Sequence, residues 1–200
     1  DKSGAIWVGT YDGISLFNPQ NSFKNYKNDP FNTNSLSENM MAGIYEDDEG
    51  LLWVGTVNEG LNLIDRKSGN ITKFKSSDDE DSLSNNHIRD IVGIQNEIWI
   101  ATEFGLNKYD KLTKKFTRYY NEDNENSLLY NDVRTLYIDN EGILWIGTRD
   151  GLCTFDRKNT FKSYEDIFIK NGITENVFSD IIQDKDGIIW IASALDGGLI

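Results

Sequence analysis

The chain has 200 residues, 38% of them hydrophobic and 26% charged, so it can bury a substantial core, and it has no run of roughly 20 apolar residues that would cross a membrane as a helix. Its 20 Lys and Arg stand against 33 Asp and Glu, and the net charge of -13 excludes nucleic acid as a partner, because that affinity is drawn mainly from basic side chains. Cys153 is the one cysteine, which excludes an intrachain disulfide and a thiol-rich metal site.

From its first residue the chain repeats itself. Asp1-Lys2-Ser3-Gly4-Ala5-Ile6-Trp7-Val8-Gly9-Thr10 returns as Asp47-Asp48-Glu49-Gly50-Leu51-Leu52-Trp53-Val54-Gly55-Thr56, as Asp139 to Thr148 and as Asp184 to Ser193. A weaker copy ends in Ile98-Trp99-Ile100-Ala101-Thr102. The tryptophans Trp7, Trp53, Trp99, Trp145 and Trp190 all fall in these copies and lie 46, 46, 46 and 45 residues apart. That period is too long for helical repeats of about 33 or 34 residues and fits a propeller blade of roughly 40 to 50.

Each unit divides into four short segments of strand character. The first alternates apolar and polar residues: Met41 to Tyr45, Ile88 to Ile94, Val133 to Ile138 and Val177 to Ile182. A hairpin turn follows, in which Asp47, Asp139 or Asp184 can bond amides just ahead of it while Gly50, Gly142 or Gly187 supplies positive φ. The third unit has Gly93 and Asn96 at those places, and Asn96 is expected to take over the positive φ. The second segment holds the tryptophan and is apolar on both faces, as in a sheet sandwiched between neighbours. The small residue two places on (Gly9, Gly55, Ala101, Gly147, Ala192) is expected to make room for the adjacent sheet's indole.

The third segment opens with glycine at Gly13, Gly60, Gly105 and Gly151. Cys153 occupies a slot filled elsewhere by Ser15, Asn62 and Asn107, which marks it as a packing residue rather than a nucleophile. The fourth segment, Phe23 to Tyr26 and its counterparts Ile71 to Phe74, Phe116 to Tyr119 and Phe161 to Tyr164, suits an outer edge guarded by lysines. Polar links lead to the next unit. The run Asp78-Asp79-Glu80-Asp81 in one of them lacks the alternating spacing and closing Glu of a calcium loop and reads as a solvated acidic loop.

The fold expected is all-β, essentially without helix: a propeller of four-stranded antiparallel blades stacked around an axis, since one such blade cannot bury both faces alone. Residues 35–81, 82–126 and 127–170 are expected as whole blades, with partial blades at 1–34 and 171–200. The last residues repeat the phase of the first, so an arc of a larger propeller is favoured over a closed four-blade ring. Asp1 opens in mid-repeat, as in an excised piece of a longer chain. Other blades of the same propeller or a second copy of the chain are the expected partners of its ends.

Ser82-Leu83-Ser84-Asn85-Asn86 leading into a strand, then Asp-x-x-Gly-x-x-Trp-[Val/Ile]-Gly-Thr, a Gly-Leu strand and Asp110-Lys111-Leu112-Thr113-Lys114-Lys115-Phe116 together resemble the two-component regulator propeller repeat. The resemblance covers essentially the whole chain. It implies tandem repeats, commonly in seven-bladed rings, in extracytoplasmic (periplasmic or cell-surface) sensor regions of bacterial hybrid histidine kinases, several of which sense oligosaccharides. Membrane attachment would then lie in parts of the parent protein outside this chain. Asp48-Glu49-Gly50-Leu51-Leu52-Trp53 also resembles the Asp-box turn of sialidase-type propellers, but Glu46 stands where that motif has Ser or Thr.

No catalytic set stands out. The carboxylates recur mostly at turns, and the sole histidine, His87, has no Ser or Cys partner in view. The expected function is non-catalytic sensing of a small polar ligand, an oligosaccharide first, with no cofactor and no metal. The alternatives are a protein-interaction scaffold or an Asp-box-like glycosidase or lyase. In propellers the loops entering first strands and those joining second to third strands share one face, and here they vary while the turns repeat. Tyr11, Asn58, Glu103, Arg149, Arg89 and Arg134 are therefore the expected ligand contacts.

Overall fold

A hairpin built on one aspartate gives each unit its centre. Asp47 accepts hydrogen bonds from the amides of Glu49 and Leu51 through Oδ1, both at 3.0 Å, and from the Trp53 indole through Oδ2 at 3.1 Å. Asp139 repeats this set with Trp145 at 2.8 Å, and Asp184 with Trp190 at 2.7 Å. The turn that reverses the chain thereby also orients the indole on the following strand. At the end of that strand the hydroxyl of Thr56, Thr102 or Thr148 donates to the carbonyl of Gly60, Gly105 or Gly151, tying off the loop into the third strand. Those glycines have φ of 81°, 107° and 119°, a region that residues with a Cβ avoid.

The computed structural model describes residues 6–18, 21–173, 177–194 and 198–200. Strands β1 (Ile6–Thr10), β2 (Gly13–Asn18) and β3 (Asn21–Tyr26) form one antiparallel sheet in chain order. The next is β4 (Met41–Glu46), β5 (Leu52–Thr56), β6 (Leu61–Asp65) and β7 (Asn70–Phe74). A second four-stranded sheet contains β8 (Ile88–Ile94), β9 (Glu97–Thr102), β10 (Gly105–Asp110) and β11 (Lys115–Tyr119). A third contains β12 (Val133–Ile138), β13 (Leu144–Thr148), β14 (Gly151–Phe155) and β15 (Phe161–Ser163). β16 (Phe178–Gln183) pairs with β17 (Ile189–Ser193). The inner strands β4, β8, β12 and β16 pack in succession, which is the blade arrangement of a propeller and an arc of a larger one. The first turn, Asp1 to Ala5, lies outside the described residues.

Two sequence expectations change. In the third unit the turn survives, but Gln95 rather than Asn96 takes the positive φ, at 55°. Glu97 replaces the missing aspartate as acceptor for Trp99 Nε1 at 3.3 Å, and Gly93 sits within β8, where the Tyr45 hydroxyl donates to its carbonyl at 3.0 Å. The glycine two places after Trp7, Trp53 and Trp145 makes room not for an indole but for other side chains: a Cβ on Gly55 would strike Ile88 and Ile91, one on Gly9 would meet Ile44 and Met41, and one on Gly147 would meet Thr135 of its own unit and Phe178 of the next. A short helix accompanies the strands, in keeping with an all-β fold essentially without helix. α1 (Glu165–Lys170) follows β15 and buries Phe168 against Phe178, with ring centroids 5.3 Å apart.

The core runs through the joints between sheets. Trp53 and Trp99 are fully buried: Trp53 stacks on Phe74 within its sheet and meets Tyr109 at a tilt across the joint, and Trp99 meets Tyr119 at a tilt within its sheet and Phe155 edge-on across the joint. The links are pinned by asparagines. Asn39, Asn86 and Asn131 each offer their carbonyl to the glycine opening a third strand in the preceding unit. The buried Asn62 and Asn107 accept the amides of Ser37 and Ser84 at 2.9 and 2.8 Å. Cys153 holds the corresponding slot in β14, buried, its thiol pushed up to about 12 by desolvation. In the acidic run, Asp81 accepts the Phe116 amide at 2.6 Å and Asp79 caps Asp81, which serves loop structure.

Candidate functional site

The candidate site is set up by a bulge repeated at the start of every inner strand. In β8 the register steps from Ile88–Thr102 to Asp90–Ala101, leaving Arg89 as the extra residue. In β12 it steps from Val133–Thr148 to Thr135–Gly147, leaving Arg134. Ala42 and Ser179 take the same place in β4 and β16. A bulged residue leaves the ladder and its side chain is re-aimed, so the repeat offers one such position per unit at the end where loops gather.

In the third and fourth units these positions converge on Asp132. Arg134 Nη2 donates to Asp132 Oδ2 at 3.1 Å, and Arg89 Nε lies 3.7 Å from Oδ1. Arg89 also reaches Glu103 at 3.4 Å, and His87 Nδ1 lies 3.5 Å from the other Glu103 oxygen. Burial, with the Arg89 charge second, holds His87 below the usual histidine range, so its neutral form prevails at pH 7. Arg89 Nε, Arg134 Nε and Asp132 Oδ1 are buried without a hydrogen-bond partner, which leaves polar capacity for water or a ligand after a small shift. Asp132 offers its carbonyl to the Arg149 amide at 2.9 Å, tying the β13–β14 loop to the same place.

Beside this cluster lies a cavity of about 300 Å³ lined by Glu103, Phe104, Asn121, Tyr130, Asn131, Asp132 and Arg149. Of the six residues expected as contacts, the structure thus brings together Arg89, Glu103, Arg134 and Arg149. Asn58 stands in the second unit, where the Glu38 carboxylate accepts both its amide and its Nδ2 at 2.8 Å. Tyr11 stands in the first unit's loop, 82% exposed.

Sequence reasoning missed Asp132 and Tyr130. Both signals were present: aligning the links sets Tyr130 against Glu38 and Asn85, and Asp132 against Met40 and His87, so both positions vary within a conserved frame of the repeat. Tyr130 and Phe104 expose ring surface, and Phe104 packs on Tyr120 at 5.7 Å. Among the described residues no group of His, Cys, Asp and Glu is arranged to hold a metal ion, and no helix is long and apolar enough to cross a membrane.

The two component regulator propeller model matches residues 35–58, 127–150 and 172–194. A search of curated proteins finds no match. Among solved structures, the extracellular domain of a putative hybrid two component system from B. thetaiotaomicron is 24% identical, with a TM-score of 0.63 over 100% of this chain and 32% of that one. Virginiamycin B lyase from Staphylococcus aureus is 13% identical, with a TM-score of 0.71 over 100% of this chain and 66% of the lyase. PorZ, a surface component of the type-IX secretion system of Porphyromonas gingivalis, is 17% identical, with a TM-score of 0.63 over 94% of this chain and 30% of PorZ. At these identities the likeness is one of fold, and the chain spans about a third of the length of the hybrid-system domain. The family model thus falls on the second, fourth and fifth units, whose stretches 35–58, 127–150 and 172–194 match the two component regulator propeller repeat.

Proposed function

We propose that this chain is the ligand-binding, non-catalytic part of a sensor propeller in a bacterial signal-transduction receptor, acting outside the cytoplasm on a small polar ligand, an oligosaccharide first. The observation that carries this reading is the placing of Arg89 and Arg134 on bulges around one buried carboxylate, Asp132, beside the cavity lined by Phe104, Tyr130 and Arg149. Planar guanidinium donors suit the paired oxygens of sugars and carboxylates, and exposed rings suit the apolar face of a pyranose. The family description and the likeness to an extracellular two-component domain support the same reading.

The test is calorimetry of the whole receptor propeller against an oligosaccharide panel, with product analysis alongside. Binding without turnover is expected, weakened about tenfold or more in Arg134→Ala, as for loss of a hydrogen bond to a charged group. Turnover of a sugar would overturn the non-catalytic reading. Unchanged affinity in both Arg89→Ala and Arg134→Ala would overturn the site.

A further inference from the structure

The third and fourth units differ at one cross-strand pair on their outer side. In the third, Arg118 of β11 lies opposite Asn107, and in the fourth, Ser163 of β15 lies opposite Cys153. The second unit has a cation there too, with Lys73 opposite Asn62. Arg118 turns onto the link that leads into its own unit. Its Nε donates to the Ser82 carbonyl at 2.8 Å, and its Nη2 donates to the Ser77 carbonyl at 3.1 Å, to the Asp79 carbonyl and to Ser82 Oγ. Ser82 gathers these acceptors, since its hydroxyl also reaches the Ser77 and Asp79 carbonyls at 3.2 and 2.9 Å.

The fourth unit keeps this cradle without its arginine. Ser127 Oγ reaches the Glu122 and Asn124 carbonyls at 3.2 and 3.1 Å, so the link takes the same path. The carbonyls of Glu122, Asn124 and Ser127 thus hold the places of the three that Arg118 meets. With Ser163 for the arginine and Cys153 for the asparagine, both side chains of the pair are shorter. What they leave is a cavity of about 510 Å³ whose walls include Asn124, Glu125, Cys153, Ser163, Glu165 and Asp166. None of the residues lining it is basic, and its carboxylates come from two segments, the link before the unit and α1 after it.

We infer that this cavity is a second binding site, for a ligand carrying a guanidinium group, which takes the place that Arg118 fills in the third unit. A guanidinium is planar and carries five donors in a fixed fork, so it can meet several converging carbonyls at once, as Arg118 does, and still turn an edge to a carboxylate. Glu125, Glu165 and Asp166 supply the countercharge at the rim. This site takes a cation, whereas the cluster around Arg89 and Arg134 offers guanidinium donors of its own, so the two readings stand or fall separately.

The test follows backbone amide shifts of the ¹⁵N-labelled 200-residue chain. One probe is acetyl-arginine amide, which stands for an arginine side chain in a peptide, and another is agmatine, a free small cation. The control is acetyl-citrulline amide, which keeps the shape of arginine without its charge. Expected are saturable shifts of residues 124–129 and 163–166 with at least one of the two probes, and binding at least tenfold weaker for the citrulline compound than for acetyl-arginine amide. Salt and Glu165→Gln are each expected to weaken the binding, and Ser163→Arg to abolish it by supplying the guanidinium from within. Equal binding of the arginine and citrulline compounds, no binding of either probe, or equal shifts at residues 77–82, where Arg118 already sits, would overturn the inference. So would undiminished binding in a folded Ser163→Arg chain or in Glu165→Gln.

Discussion

The carboxylate of Asp90 on β8 accepts the backbone amide of Leu136 on β12 at 2.8 Å, and so links the inner strands of two sheets that share no ladder. Its other oxygen accepts the amide of Ile91 at 2.8 Å. Burial outweighs these bonds and raises the Asp90 pKa above the usual carboxylate value of 3.8. The folded state therefore holds this proton more tightly than the unfolded chain, and the contribution of Asp90 to stability falls as pH rises from about 4 through the raised folded value.

Asp90→Asn keeps an acceptor for Leu136 and removes the titration. Urea unfolding is expected to show the wild type losing stability relative to Asp90→Asn as pH is raised through that window. Asp90→Ala is expected to cost about 1–3 kcal/mol at every pH by leaving the Leu136 amide unpaired. Parallel pH profiles for wild type and Asp90→Asn would contradict the assignment.

Trp53 and Trp99 are fully enclosed, whereas Trp190 is 38% exposed. Trp53→Ala and Trp99→Ala are each expected to lose about 3–5 kcal/mol in denaturant unfolding, and Trp190→Ala distinctly less. Equal losses at all three sites would show that burial in the joint is not what the indoles contribute.

Gly55→Ala would drive a methyl into Ile88 of the next unit, whose Cβ lies 2.8 Å from the added atom. A loss of about 1–3 kcal/mol is expected from overpacking, and a smaller one in the Ile88→Ala background, which lacks the Cγ2 methyl that lies 2.4 Å from the added atom. Strict additivity of the two changes would argue that the glycine serves its own strand rather than the joint.

Cys153 is buried with its thiol pushed up to about 12, so almost no thiolate is present at pH 8. A disulfide reagent is expected to label it only as fast as the chain unfolds, with the rate rising in urea alongside the unfolding signal. Rapid labelling of the native chain would place the thiol in an accessible site.

The sequence by itself determined the repeat. The 46-residue spacing of the tryptophans, the aspartate and glycine of each turn, and the glycine opening each third strand act over a few bonds, so their consequences are local and legible. Where one local rule was applied alone it misplaced detail: the third turn places its positive φ at Gln95 rather than Asn96, and Glu97 holds the Trp99 indole from the strand itself. Of the six loop residues chosen because they vary, four meet around Asp132 and two do not. Which ones meet depends on the bulges at Arg89 and Arg134 and on how two sheets with no common ladder are set side by side. Only the tertiary structure decides that, because those distances are fixed by side-chain packing between units some 45 residues apart, and no local pattern encodes them.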